Sequence, residues 1–326
     1  MGRAEPEFSI IIMNMNTCDN LKIQLPVLTS FKKVATEIIL VDNASSDESV
    51  SFVKNTYPQI KVIALKKNVG TYAMNVGFQQ CRGKFVLYIG DMVLSEKMLL
   101  RLRKVIDKDS SVFMAVPRII NYFSKKPEFA GEIISRSFYS VARKRVTHSL
   151  LPIEILSAGC GMFRRESIRQ VGGIIYDPDY FLYGEDVDLG VRIRLAGKRA
   201  VLVPDAVIEH AHLPITLRTF SRFHLRFLTE RNLLVTFLRS FTWDNTVLWS
   251  SYAFGMRLLS AAKDVVKGDF NTAAARLYAW LWVAIHPAFV WRKRCFSQKL
   301  RRASDSYVMK PFCEKDFFKA FLFGVK

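Results

Sequence analysis

The sequence predicts an α/β domain built on a mostly parallel sheet and followed by a helical extension. Three observations carry that expectation. Short, continuously apolar segments rich in Val and Ile recur through the first part of the chain. They alternate with segments of helical pattern, the signature of strands covered on both faces. The polar residues suited to chemistry fall directly after the apolar segments, where open α/β sheets bind their ligands.

Residues 8–13 (FSIIIM) form the first apolar run and end at 14–17 (NMNT), predicting a buried strand and a loop. A helix is expected over 21–31. Residues 37–41 (EIILV) are a second buried strand, ending in the polar loop 42–48, where Ser46 and Asp47 suit the cap of a helix running to about 55. Residues 60–65 are a third strand, 71–81 a helix and 85–89 a fourth strand. A further strand is expected over 112–116. Residues 121–155 lack a clear period and predict loops or short strands over the site. Residues 158–161 (AGCG) are a tight small-residue loop, 164–171 a short helix, and 185–196 a helix stopped by Gly197. Residues 200–204 are a strand whose continuation ends near His210.

After Pro214 the pattern changes. Long helical stretches are expected over 217–239, 246–266 and 273–290, with basic and aromatic residues interleaved. Arg257, Lys263 and Asp264 interrupt the second, and the third carries His286-Pro287, so neither is a convincing membrane span. They are expected to lie at a membrane interface or to form a buried helical bundle. Trp280, Trp282 and Trp291, followed by Arg292-Lys293-Arg294, suit a headgroup-level position.

Composition supports this division. The chain has 326 residues and a formal net charge of +19. Residues 211–326 hold 19 Lys and Arg against 7 Asp and Glu, leaving +7 for residues 1–210. A basic, aromatic C-terminal region points to an anionic membrane surface or a polyanion, or else to a solvated basic face. Nucleic acid is the less favoured partner, because no recognised nucleic-acid motif accompanies the charge. Cys18, Cys81, Cys160, Cys295 and Cys313 are odd in number and in no metal-type pair, which suggests reduced thiols and a cytoplasmic location. Residues 1–7 leave no room for a signal peptide before the first strand.

The residues with chemical promise begin with the cluster Glu185-Asp186-Val187-Asp188. Three carboxylates in four residues are costly beside apolar surface unless their charge is used. On a helix Glu185 and Asp188 share a face and Asp186 points elsewhere, which suggests a carboxylate general base. Asp42 ends a buried strand, where it either caps the loop or accepts a hydrogen bond from a nucleobase or ribose. Asn68-Val69-Gly70 and Asn75-Val76-Gly77 bracket Tyr72, and glycine lets backbone approach a ligand closely. Asp91 follows the fourth strand, placed for a metal or a diphosphate. His210 either completes that metal site or is a packing residue.

Taken in order, these motifs resemble glycosyltransferase family 2, and within it the rhamnosyltransferase-like and galactofuranosyltransferase-like members. The resemblance covers residues 8 to about 239. It is carried by SIII through Asn16, VDNASSD at 41–47, the two Asn-Val-Gly units, AG at 158–159 through FRR at 163–165, VGG at 171–173, FLYGEDVDL at 181–189, VPDA at 203–206 leading to His210, and Arg231-Asn232. It implies a GT-A fold, Rossmann-like with a mostly parallel central sheet, and a C-terminal helical, basic and aromatic extension. The catalytic domain is expected over 1–214, with a nucleotide-sugar half at about 8–118 and an acceptor half at about 119–214. The helical region is expected over 215–326. The implied activity is inverting transfer of a sugar from a nucleotide-diphosphate donor to a hydroxyl of a glycan or lipid-linked saccharide, at the inner face of the cell membrane. Asp186 matches the general base, with Glu185 and Asp188 in support or Asp188 as the base instead. Asn16, Asp42, Asn68, Gly70, Asn75 and Asp91 match the donor side. Asp91 and His210 match the ligands of a divalent cation, Mn²⁺ or Mg²⁺.

One departure stands out. Gly90-Asp91-Met92 occupies the place of the family's usual Asp-X-Asp or Asn-Pro-Asp, with Met92 where the second Asp belongs. A one-residue slip would put Asp91 on the metal. Without it the main carboxylate ligand is lost, because Met is a poor partner for Mg²⁺ or Mn²⁺. The alternative function is therefore a glycosyltransferase-like protein that binds nucleotide sugar or glycan without turnover. The donor, the acceptor and the oligomeric state are not legible in the sequence.

Overall fold

The computed structural model describes residues 5–142, 151–156, 159–211 and 219–312. Strands β1 (Phe8–Asn14), β2 (Thr36–Asp42), β3 (Lys61–Ala64) and β4 (Phe85–Ile89) are followed by β5 (Met92–Val93), β6 (Val112–Asn121) and β7 (Pro127–Phe129). Then come β8 (Glu132–Ile134), β9 (Ser140–Ala142), β10 (Ile153–Ile155), β11 (Gly161–Arg164) and β12 (Arg199–His210). The main sheet runs β10-β12-β6-β11-β4-β1-β2-β3, with β5 and β7 added at the side and β8-β9 a separate pair. Only β10 and β11 run against the others along that path, so the sheet is mostly parallel, as expected.

Both faces of the sheet are covered, and alternation along the strands assigns each residue to a layer. Ile10, Ile12, Leu40, Leu87 and Ile89 belong to one buried cluster. Their neighbours Ile11, Ile39, Val41, Val86 and Tyr88 belong to the other. The register sets Asn14 beside Asp42 and Ile12 beside Ile89. β1 and β2 therefore finish level and β4 stops two residues earlier, so the loops that follow them share one edge.

The helices are α1 (Cys18–Thr29), α2 (Ser49–Thr56), α3 (Ala73–Phe78), α4 (Glu96–Lys108) and α5 (Glu185–Leu195), then α6 (Arg222–Ser240), α7 (Trp243–Val266), α8 (Phe270–Ile285), α9 (Pro287–Leu300) and α10 (Asp305–Val308). The helix expected over 71–81 is a 3-10 turn at Gly70–Tyr72 leading into the shorter α3. The stretch expected as one helix over 273–290 breaks at His286, because Pro287 starts a helix well but cannot continue one. α4 has no counterpart among the elements expected from the sequence. Ser95 caps it by accepting from the Met98 amide, and Met98, Leu99, Leu102 and Ile106 bury its inner face. The expectations at 158, at 217–218 and at Arg143-Lys144-Arg145 lie outside the described residues, as do residues 1–4 and Cys313. Cys18, Cys81 and Cys160 are buried free thiols and Cys295 is an exposed one.

Packing is continuous across the boundary expected at residue 214. Leu233 and Phe237 of α6 share a core with Val187, Val191 and Leu195 of α5. Buried charges join the same helices. Asp188 pairs with Arg192 at 2.7 Å and with Arg239 of α6 at 3.0 Å, and Arg239 pairs with Asp177 at 2.8 Å. Lys293 of α9 also meets Asp177, and reaches Asp179 at 2.6 Å.

This corrects part of the expectation for the basic run at 292–294. Lys293 is spent on two carboxylates. Arg294 lies 3.8 Å from the ring centroid of Trp243, so of the three only Arg292 is exposed. Among the described residues no single helix is long and apolar enough to cross a membrane, and α8 with α9 pass that test only as a pair bent by 81°.

Candidate active site

The edge formed by the strand ends opens into a cleft of about 300 Å³. Asn43, Asn68 and Gly70 line it. Asp91, just ahead of β5, and His210, at the end of β12, line it as well, with Phe181 and Glu185. Of the residues singled out in the sequence, Asn68, Gly70, Asp91, Glu185 and His210 thus come together. Asn16, Asp42, Asn75, Asp186 and Asp188 are not among the lining residues.

The residues expected on the donor side divide by what their polar atoms already hold. Asp42 is buried, and its carboxylate accepts from Asn14 Nδ2 at 2.7 Å, Ser45 Oγ at 2.5 Å and the Ser45 amide at 2.9 Å. It is the anchor of the 42–48 loop, and the neighbour that reaches the cleft is Asn43. Asn43 accepts from the Val69 amide at 2.8 Å and donates to the Gly70 carbonyl at 3.0 Å. Asn16, with φ at 54°, organises the same loop by accepting from the Ser46 amide at 2.7 Å. Asn75 is a buried strut: it donates to the Tyr176 carbonyl at 2.7 Å and accepts from the Ile175 amide at 2.7 Å. Asn68 closes a turn by accepting from the Gly70 amide at 2.8 Å.

Gly70 is the joint between the two halves. Its φ is +62°, and a Cβ there would lie 2.0 Å from the Phe181 carbonyl oxygen. That carbonyl accepts from the Thr71 amide at 2.8 Å. Only glycine combines this backbone conformation with so close an approach.

The chain enters α5 through a strained loop. Phe181 and Tyr183 both have positive φ, at 60° and 64°, and Gly184 follows at 78°. Asn232 of α6 holds that loop. Its amide nitrogen donates to the carbonyls of Tyr180 at 2.9 Å, Leu182 at 3.1 Å and Tyr183 at 2.6 Å. Arg231 adds a bond to the Asp179 carbonyl at 2.9 Å. The sequence marks Arg231-Asn232 without a role, and the structure supplies one.

The three carboxylates of α5 have separate fates. Asp188 is 1% exposed and held by two guanidiniums, so it is a structural ion-pair partner and not an alternative base. Asp186 accepts from the Val187 amide at 2.8 Å. Glu185 lines the cleft, and its Oε2 is buried with no hydrogen-bond partner. Burial, and then the adjacent Asp186, push the Glu185 carboxyl up to about 8, and burial also raises Asp186. The two titrate as a pair, and the raised Glu185 carboxyl carries a proton near neutrality.

That proton has a consequence for stability. A carboxyl that protonates near 4.5 in the unfolded chain and near 8 in the folded one takes up a proton on folding anywhere between those values. Stability therefore falls as pH rises through that window. Glu185→Gln is expected to raise stability at pH 8 by on the order of 2 kcal/mol and by little at pH 4. Denaturant melts at the two pH values measure the difference, and an equal gain at both would remove the assigned burial cost.

The metal candidates are arranged by a tight turn. The Met92 amide donates to the Gly90 carbonyl at 2.8 Å, which leaves Asp91 at the apex. Met92 is buried in the core at 7% exposure, opposite His210 in the β5–β12 pairing. The Ala211 amide donates to the Asp91 carbonyl at 2.8 Å. Glu128 Oε2 lies 3.0 Å from His210 Nδ1, a carboxylate–imidazole contact that orients the ring. One carboxylate and one imidazole fit a cation that takes its other ligands from a bound diphosphate and water. Among the described residues no group of three or more His, Cys, Asp or Glu is placed to hold a metal alone.

Comparisons with known proteins agree with this architecture. The family model for glycosyl transferase family 2 matches residues 9–172. An N-acetylglucosaminyl-diphospho-decaprenol L-rhamnosyltransferase of Mycobacterium tuberculosis is 44% identical over 68 residues. That match spans 21% of this chain and only 22% of the relative. The structure of GalNAc-T7 with UDP, GalNAc and Mn²⁺ aligns with 99% of this chain and 59% of its own, at a TM-score of 0.69 and 15% identity. Residues 1–349 of Staphylococcus aureus TarS align with 93% of this chain and 92% of that fragment, at 0.52 and 15%. The Pyrobaculum calidifontis mannosyltransferase PcManGT, in complex with GDP-Man and Mn²⁺, aligns with 94% and 86%, at 0.50 and 16%. At these identities the structural likeness is one of fold.

Proposed function

The chain belongs to glycosyltransferase family 2, and on that premise we propose that it transfers a sugar from a nucleotide-diphosphate donor to an acceptor hydroxyl, with inversion at the anomeric carbon. The acceptor is a glycan or a lipid-linked saccharide, presented at the cytoplasmic face of the membrane. The observation that carries this reading is the cleft, in which the 68–70 turn and the Asp91–His210 pair face a carboxylate from the start of α5. Its volume suits part of a nucleotide sugar, and its walls supply separate donor and acceptor sides.

The chemistry follows from the paired carboxylates. Asp186, which stands at the family's base position beside Glu185, serves as general base in this reading. It takes the proton of the acceptor hydroxyl as that oxygen attacks the anomeric carbon in line and the bond to the nucleoside diphosphate breaks. The strained loop ahead of α5, tied down by Asn232, fixes the base relative to the donor. Gly70 keeps the two halves in register. Asp91 and His210 would hold a divalent cation, which would supply positive charge for the departing diphosphate.

The Met92 departure favours a second reading, in which the cleft binds donor without turnover. One screen addresses both. In thermal melts with a panel of nucleoside diphosphates and their sugars, one nucleotide is expected to stabilise the protein by about 2.7 kcal/mol at a hundred times its Kd, and less without Mn²⁺. A chelator is expected to lower turnover. Binding with no transfer to any acceptor supports the second reading, and a panel in which nothing binds removes both.

A further inference from the structure

Helices α7 and α8 are packed inside out. On α7 the buried side carries Thr246, Ala253, Met256, Arg257, Ser260 and Ala261. Its outer side carries Val247, Leu248, Leu258, Leu259 and Val266, the last 87% exposed. On α8 Arg276 is buried together with Thr272, Ala273, Ala275 and Ala279, while Phe270, Leu277, Leu281 and Ile285 are exposed. The interior is ionic. Glu230 of α6, fully buried, pairs with Arg257 at 3.0 Å and with Arg276, which also reaches Asp264 at 2.7 Å. A helix packed for water puts leucines inside and arginines outside. The reversal here leaves one broad apolar face on two sequential helices, and a face of that kind marks a contact surface.

We propose that the outer face of the α7–α8 hairpin docks flat on an anionic bilayer, lying in the interface rather than crossing it. Charge selects lipid over a second copy of the chain. A net charge of +19, most of it after residue 210, is drawn to anionic headgroups and opposes self-association. The borders of the face fit the same partner. Trp243 and Trp291 stack at 6.4 Å, 56% and 58% exposed, with exposed Arg292 beside them. Exposed Lys263 and Lys267 mark the hairpin's other end. Aromatic and basic borders around an apolar centre are what an interfacial helix presents.

The face is also continuous with the cleft. Phe181 and Phe220, both in the cleft wall, meet at 5.7 Å, and Phe220 stacks on His224 at 5.5 Å. Phe227, three residues on and on the same side of α6, meets half-exposed Tyr278 of α8 at 5.1 Å. Docking on this face therefore sets the cleft's aromatic wall beside the lipid. This deepens the lipid-linked acceptor reading above and rests on it only for the acceptor, since docking needs no turnover.

The test is flotation of the full chain with vesicles of phosphatidylglycerol or of phosphatidylcholine, without nucleotide or acceptor. The protein is expected to float with the first far more than with the second, and its Trp emission to shift to the blue. Leu248→Glu/Leu259→Glu/Leu281→Glu is expected to bind about tenfold more weakly or worse. Its circular dichroism melt and nucleotide-induced thermal shift should be unchanged. Equal flotation of variant and parent overturns the proposal. So does a parent that ignores vesicles but self-associates through this face, with the variant monomeric. Vesicle binding without any nucleotide-induced shift supports the docking face while removing the transfer reading, so the two fail separately.

Discussion

Asp186→Asn is expected to lower kcat/KM by about a hundred- to ten-thousand-fold, while nucleotide binding is retained. The substitution keeps the size of the side chain and its contact with the Val187 amide, but removes the proton acceptor. Such a loss corresponds to about 3–5 kcal/mol of transition-state stabilisation, against a small ground-state effect. The comparison with Glu185→Gln assigns the roles within the pair. That variant keeps a neutral side chain in the cleft, the state Glu185 holds below about pH 8, so it is expected to retain much of its turnover near neutrality. If instead Asp186→Asn turns over and Glu185→Gln does not, the base is the carboxylate that lines the cleft. Asp188 has no place in that comparison, because both of its oxygens already face guanidiniums.

How far the sequence carries these conclusions depends on the range of the interactions involved. β1, β2 and β4 are legible because a strand buried on both faces must be apolar throughout. The α5 start is legible because a helix that opens with three carboxylates beside apolar surface carries a desolvation cost that only ion pairs or chemistry can offset. Asp42 is located but not oriented, since whether a strand-end residue faces the cleft or the loop depends on Asn14 and Ser45 as partners. Asn75 reads as a ligand residue because of its glycine neighbour. Its partners, the backbone of Ile175 and Tyr176, are about a hundred residues away and leave no local trace. The turn that lifts Asp91 and buries Met92 depends on pairing with β12, which also arrives from far along the chain. The C-terminal helices read as basic and aromatic, but the pattern does not say which face is inward when the interior is ionic.

Arg239→Met is expected to cost about 3–5 kcal/mol of stability, the usual result of leaving buried carboxylates without their cation. Arg239 is fully buried between Asp177, Asp188 and the Ser297 hydroxyl, which accepts from its Nε at 2.6 Å. It ties α6 to α5, to the 177–179 segment and to α9, so the loss should appear as a lower denaturation midpoint for the whole protein rather than as release of the C-terminal helices. The pH dependence gives a second signature. Burial works to raise the Asp177 carboxyl, but Arg239 and Lys293 hold it below its ordinary value. Its contribution is therefore present above the unfolded value of about 3.8 and is lost as pH falls through the lower folded value. Without Arg239 the acid transition should begin at higher pH. Pairing Arg239→Met with Asp177→Leu removes one of the stranded charges, leaves Lys293 its second partner Asp179, and should recover part of the loss, because a well-packed apolar pair often matches a buried ion pair. A midpoint unchanged in Arg239→Met would mean that the apolar contacts of Leu233 and Phe237 alone hold α6 against α5, and that the buried charges there specify its register without stabilising it.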